Sequence, residues 1–210
     1  MSEPFFSVIV PAHNSEGHLE RCLDSVERQT CKDYELIVVC DACMDNTDSA
    51  ARFYTDNNHV IITNHGMDGL ARNAGIDAAK GKWLMFLDDD DWWIHEYVLE
   101  EAKRIIESMT MPVDMLLFDF IWKDAPEWKR PYYKQTVDNV NIAVWSKAFR
   151  RDFVGDTRFP AIPFTSDKYF MDEIVKKNPV AYTTHQLIYY YNYMREGSQT
   201  EEHARGGADG

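Results

Sequence analysis

Apolar and polar positions alternate along this chain in two rhythms. Phe5 to Pro11 (FFSVIVP) is a continuous apolar, β-branched run closed by proline, the pattern of a strand buried on both faces. From Ser15 to Gln29 the apolar residues Leu19, Cys22, Leu23 and Val26 return at helical spacing, with Asn14 or Ser15 available as the cap. The pair of signals then repeats. Glu35 to Cys40 (ELIVVC) predicts a second buried strand, followed by a helix capped by Asn46 or Thr47 and carrying Ala50, Ala51 and Tyr54. His59 to Thr63 predicts a third strand, and Gly69 to Ala79 a helix through Leu70, Ala74 and Ala78 with Gly81 as its C-terminal cap. Trp83 to Leu87 (WLMFL) is a fourth strand. A helix over His95 to Met109 places Val98, Ala102, Ile105 and Met109 on one face, and Asp114 to Trp122 is a further strand.

Strands separated by helices of ten to fifteen residues imply right-handed βαβ units, hence an α/β fold with a mostly parallel sheet flanked by helices. Beyond residue 122 the rhythm loosens. Residues 123–143, rich in Pro, Lys and aromatics, predict a loop or short antiparallel ribbon near a site. Thr165 to Lys177 predicts a helix, with strands near Val180 to Tyr182 and Leu187 to Tyr193. The expected organisation is an α/β half over 1–122, a C-terminal part of the same domain over 123–202, and a disordered glycine-rich tail over 203–210.

A length of 210 residues suits one such domain with at most a small appendage. The net charge of −13 shows no basic stripe, which argues against a nucleic acid as partner. An anionic ligand would then need a local attractor, and a divalent cation held by carboxylates is the simplest one. No apolar run reaches the length of a membrane span, and Met1-Ser2-Glu3-Pro4 does not open a signal peptide. The expectation is a cytoplasmic protein, with peripheral contact at the inner membrane face left open. Cys22, Cys31, Cys40 and Cys43 read as reduced packed thiols; a redox pair or half a zinc site at Cys40-x-x-Cys43 is the competing reading, without a second pair of ligands nearby.

In parallel α/β sheets ligands bind outside the carboxyl ends of the strands. Asp41 and Asp45 follow the second strand, and Asp88-Asp89-Asp90-Asp91 follows the fourth, so both groups fall on one edge. Four adjacent carboxylates repel one another unless a cation neutralises them, and carboxylate oxygens are the ligands that Mg²⁺ and Mn²⁺ take alongside water and substrate phosphates. The bland alternative is a solvated acidic turn capping the next helix. Trp92-Trp93 beside the charges suggests a pocket wall instead.

At this point SVIVPAHNSEGHLERCLDSVERQTCKDYELIVV resembles the opening signature of family 2 glycosyltransferases of the GT-A fold, and GLARNAGIDAAKGKWLMFLDDDDWW resembles their second signature. VWSKAFRRDF, then RF, SD and LIYYYNYMREGS, are similar to their less specific C-terminal landmarks, so the resemblance covers roughly residues 5–200. It implies an inverting transfer of a sugar from a nucleotide-sugar donor, UDP-linked above all, to a hydroxyl acceptor such as a polysaccharide, with Mn²⁺ or Mg²⁺ as cofactor. It also implies roles. Pro11 and His13 line the nucleobase pocket, Asp41 bonds the uracil ring, and Arg72 approaches the base or the diphosphate. Asp88-x-Asp90 matches the DXD motif, with Asp90 as the direct metal ligand, Asp88 a second candidate ligand, and Asp88 or Asp89 nearer the ribose and sugar. Asp167 takes the place of the catalytic base, and Arg195 and Ser198 fall in a segment that closes over the diphosphate. Each position has a plainer reading: Arg72 paired with Asp68 or Asp77, Asp167 as a helix cap, and the histidines in ordinary surface or core roles.

The chain departs from the family pattern in three places. Cys40-Asp41-Ala42-Cys43 stands where two aspartates followed by Gly-Ser are usual, removing a carboxylate and a conformationally free glycine. His13 replaces a common Tyr or Phe. Ser166-Asp167 replaces Glu-Asp, and the sequence ends soon after its tyrosine-rich strand, so the acceptor site is expected to be shallow, incomplete or completed by another chain. The rival readings are a binding module of this fold without catalysis and a sugar-nucleotide pyrophosphorylase. The latter normally carries a glycine-rich basic loop that PAHNSEGH does not supply.

Overall fold

A computed structural model of the chain describes residues 3–55, 59–123, 140 and 142–192. The elements run β1 (Phe6–Ala12), α1 (Leu19–Glu27), β2 (Tyr34–Asp41), α2 (Thr47–Tyr54), β3 (Val60–Thr63), α3 (Asp68–Ala78), β4 (Trp83–Phe86), β5 (Trp92–Trp93), α4 (Val98–Ser108), β6 (Met115–Trp122), β7 (Lys147–Arg150), α5 (Arg151–Val154), α6 (Ser166–Lys176) and β8 (Ala181–Tyr191). They build one eight-stranded sheet in the order β3-β2-β1-β4-β7-β6-β8-β5.

The first four strands are mutually parallel, with Val8 opposite both Leu36 and Met85. Every residue of β1 is buried, as a strand with helices on both faces requires. Val8 and Val10 point into a core shared with Leu19, Leu23 and Val26 of α1 and Val98 and Leu99 of α4, while Ile9 joins Ala71 and Ile76 of α3 and Phe170 and Ile174 of α6. The other half is mixed: β7 runs antiparallel to both β4 and β6, β6 and β8 are parallel, and β5 pairs antiparallel with the end of β8.

Several sequence expectations change at this level. The helix expected from Ser15 begins only at Leu19, because Asn14 adopts a left-handed φ of 51° and accepts the Met44 N–H at 2.8 Å, while the Ser15 N–H donates to Thr47 Oγ1 at 2.7 Å. Both candidate caps therefore tie the β1–α1 loop across to neighbouring structure, Asn14 to the β2–α2 loop and Ser15 to the first residue of α2, and leave α1 without a side-chain cap. Asn46, one of the two expected caps with Thr47, takes the N-cap position of α2 but makes no side-chain cap bond; Asp45 before it accepts from the Thr47 N–H at 3.0 Å and its hydroxyl at 2.5 Å. Gly81 does not terminate α3. A Cβ there would stand 2.4 Å from the Ser7 backbone nitrogen, so glycine is required by close approach to β1. The two strands expected near the C-terminus are one strand, β8, irregular in its pairing with β6 between Leu117 and Phe120, with His185 at a φ of 55°. β5, β7 and α5 were not anticipated. The expected loop over 123–143 and the tail over 203–210 fall almost wholly or wholly outside the described residues. Among the described residues no helix is long and apolar enough to cross a membrane.

Candidate active site

The loops after β1, β2 and β4 meet at one sheet edge. Pro11 is buried within β1 opposite Val39, and His13 lies just past the strand end, exposed, its Nδ1 2.7 Å from the Asp41 carbonyl oxygen. Asp41, buried at the end of β2, accepts from the Thr63 hydroxyl at 2.8 Å, the His65 N–H at 2.6 Å and the Met67 N–H at 3.0 Å. Burial pushes this carboxyl up, but the three donors outweigh it and hold it below its ordinary value. Ala42, where the family pattern has glycine, keeps a left-handed φ of 51°, so the glycine is lost and its backbone conformation is not. Cys40 packs into the core with its thiol pushed up to about 12 by burial and, secondarily, by Cys43; all four cysteines are free, and the Cys40 thiol is shifted in the direction opposite to that of a redox nucleophile.

The four aspartates after β4 diverge. Asp88 receives Arg72 Nη2 at 2.6 Å, and its N–H donates to the Tyr189 hydroxyl at 3.2 Å. Asp89 turns back to the β1–α1 loop, accepting from the Ser15 hydroxyl and from the His13 N–H at 3.2 Å, with His18 Nε2 3.8 Å away. Asp91 is fully buried: one oxygen accepts from the Tyr189 hydroxyl at 2.7 Å, the other from the Asn192 N–H at 2.7 Å. The Asp90 carbonyl accepts from Arg21 at 3.2 Å. Burial pushes the Asp88 carboxyl up to about 7, with Arg72 pulling it down and Asp167 and Asp90 pushing it up again.

Arg72 is the hub. It is 3% exposed, pairs with Asp68 one helical turn earlier and with Asp88, and brings Nη1 within 3.4 Å of Asp167 Oδ1. Its Nε is buried without a hydrogen-bond partner among the described residues, and its guanidinium lies 5.6 Å from the centre of the Phe159 ring. Asp77, the other expected partner, pairs with Arg158 at 2.7 Å. Asp167 sits in the first turn of α6, yet its Oδ2 accepts from the Val144 N–H at 3.3 Å, across from α6 rather than along it. The structure thus brings Asp88, Asp167 and Arg72 together, and sets His13, Asp41 and Asp89 beside them. Arg195 and Ser198 lie outside the described residues.

The expected pocket wall at Trp92-Trp93 is not formed. Trp93 is 2% exposed, and Trp92 is covered on both faces, by Arg21 at 3.7 Å and by Tyr190 stacked at 4.0 Å. Among the described residues no three His, Cys, Asp or Glu side chains converge as a metal site. The donor set of the acidic turn therefore fits an ion that brings water and phosphate ligands with it, and does not fit one caged by protein alone. His18, Tyr189 and Asp68 were missed as site residues. Asp68 had a readable signal in its four-residue spacing from Arg72, whereas Tyr189 is a hundred residues from the turn it supports.

The profile described as glycosyl transferase family 2 matches residues 7–174. A PGL/p-HBAD biosynthesis glycosyltransferase of Mycobacterium bovis is 41% identical over 65% of this chain. Curated relatives are longer: the chain spans 57% of that protein and 31% to 49% of others that it matches. Among solved structures, Staphylococcus aureus TarS (residues 1–349) in complex with UDP-GlcNAc superposes with a TM-score of 0.78, at 24% identity, over 93% of this chain and 60% of that one. The mannosyltransferase PcManGT of Pyrobaculum calidifontis, in complex with GDP-Man and Mn²⁺, gives 0.69 at 20% identity, over 94% and 59%. Both likenesses are of fold.

Proposed function

Because the chain belongs to glycosyl transferase family 2, we propose that it moves a sugar from a nucleoside-diphosphate donor, a UDP-sugar, to a hydroxyl acceptor with inversion at the anomeric carbon. The observation that carries this reading is the meeting of Asp88 and Asp167 on one buried arginine, beside the loop of His13 and Asp41. One guanidinium thus joins the carboxylate read here as the base to the acidic turn read here as the holder of a diphosphate-borne cation.

In this mechanism His13, Pro11 and Asp41 receive the nucleobase. Asp88 or Asp89 faces the ribose and sugar. Asp90 and Asp88 would hold Mg²⁺ or Mn²⁺, which when bound neutralises charge gathering on the leaving diphosphate. Asp167 takes the proton of the acceptor hydroxyl as its oxygen bonds to the anomeric carbon from the face opposite the departing diphosphate. Arg72 keeps Asp88 and Asp167 in fixed relation, so alignment is supplied before the reaction begins. A glycan acceptor fits the family, and the resemblance assigns Arg195 and Ser198 to the diphosphate.

The test is thermal unfolding with UDP, GDP and dTDP, each with and without Mn²⁺, since a ligand bound only to the native state raises its stability by mass action. A shift that needs both UDP and the metal supports the reading. A shift with GDP alone among the nucleotides would change the donor, and no shift at all would favour the non-catalytic binding module.

A further inference from the structure

We propose that Lys147 is a positioning residue for Asp167, acting through the backbone of the 3-10 turn at Val144–Ser146. The inference rests on the reading of Asp167 as the base.

Lysine is among the residues least often fully buried without a partner charge. Lys147 is 0% exposed, lies among the largest fully buried side chains, and makes no ion pair among the described residues. Its Nζ donates to the Ala143 carbonyl at 2.6 Å and stands 3.3 Å from Ser146 Oγ. The Ser146 hydroxyl donates to the same carbonyl at 3.1 Å, so both ends of the turn converge on Ala143. The next residue is Val144, whose N–H reaches Asp167 Oδ2 at 3.3 Å. Fixing the Ala143 carbonyl fixes the plane of the Ala143–Val144 peptide, and that plane aims the N–H at the carboxylate. The other oxygen of Asp167 faces Arg72 at 3.4 Å, so each oxygen has its own orienting group.

Two further observations agree. Burial pushes the ammonium of Lys147 down to about 7, and the one charge opposing that shift is Asp167, which places the amine within electrostatic reach of the carboxylate. A methionine or leucine at this buried position opposite Leu117 would not carry the cost of burying an amine, so packing alone does not account for lysine.

The test uses the full chain and the amide proton resonance of Val144, which a hydrogen bond to a carboxylate shifts downfield. It is compared in the wild type, Asp167→Asn, Lys147→Met and Lys147→Gln; the last keeps a donor but falls one bond short of the Ala143 carbonyl. The proposal expects the Val144 resonance of either folded Lys147 variant to leave its wild-type position and approach that of Asp167→Asn, with the remaining spectrum conserved. A resonance unmoved in a folded variant overturns it. Failure of both Lys147 variants to fold, beside a folded Asp167→Asn, would assign the amine to the core and overturn it equally. With UDP-GlcNAc as the probe donor, Lys147→Met should lower kcat about tenfold at an unchanged KM; a matching change in both would count against positioning. Should Asp167→Asn keep wild-type turnover, the base assignment falls, while the amide comparison, which needs no substrate, is still decided.

Discussion

On the β1–β2 side of the site, carboxylates are held by the donors of short loops. Asp41 takes two backbone N–H groups and a hydroxyl, Asp89 takes a hydroxyl and a backbone N–H beside His18, and both carboxyls lie below their ordinary value although burial pushes them up. On the β8 side the balance is reversed. Asp91 has a tyrosine hydroxyl and one N–H, and burial with the Asp90 and Asp88 charges pushes it well above the carboxylate range. The parallel half thus stabilises negative charge with its own backbone, whereas the mixed half encloses it among aromatic rings such as Trp145, stacked on Tyr189 at 4.2 Å.

The strongest way to break this comparison is at the junction between the halves. Asp167→Asn should reduce sugar transfer by roughly 10² to 10⁴-fold while nucleotide affinity, measured by calorimetry, stays within about twofold of wild type. Loss of both together would move Asp167 into donor binding. Arg72→Met removes the cation shared by Asp68, Asp88 and Asp167 and should cost about 3 to 5 kcal/mol in urea unfolding. A cost below about 1 kcal/mol would mean that the three carboxylates reach water on their own.

Smaller changes sharpen the contrast between the sides. Tyr189→Phe deletes the hydroxyl shared by Asp91 and the Asp88 N–H and should cost about 1 to 3 kcal/mol, because a buried acceptor loses half of its donors. Thr63→Val, on the other side, removes one of three donors to Asp41 and should cost about 1 kcal/mol. Equal costs would erase the distinction. Ala42→Gly should raise stability by about 0.5 kcal/mol, visible as a higher Tm, since it relieves a left-handed alanine at the expense of greater freedom in the unfolded chain.

The parallel half was legible because its strands are local patterns: FFSVIVP, ELIVVC and WLMFL each announce a strand buried on both faces, and the helices between them carry their own apolar stripes. The carboxyl edge followed from topology, and with it the gathering of Asp41 and Asp88 to Asp91. The mixed half was legible only in part: β6, α6 and the two ends of β8 carry readable patterns, whereas β5 (WW) is two residues long and β7 (KAFR) has a charge at each end instead of an apolar run, so both exist through pairing with strands distant in sequence. The hub at Arg72 was half visible. Its link to Asp68 is a four-residue helical spacing, while its reach to Asp167 depends on α6 packing against α3, which no local pattern encodes. Asn14 and Ser15 do not cap α1 for a related reason: their partners Met44 and Thr47 are 30 and 32 residues on.

The order of the sheet gives the acidic turn one more property. Phe86 ends β4 and Trp92 begins β5, yet three strands lie between the two in the sheet. In a flat sheet these strands would stand about 19 Å apart, close to the full stretch of the five intervening residues. The segment is instead folded back on itself, with the Asp91 N–H donating to the Asp88 carbonyl at 3.1 Å. A folded segment this short acts as a drawstring that curls the far strands up over the edge of β4, and its length is a ruler for that curl. One inserted residue would slacken that cord, loosening the Tyr189 hydroxyl from both Asp88 and Asp91.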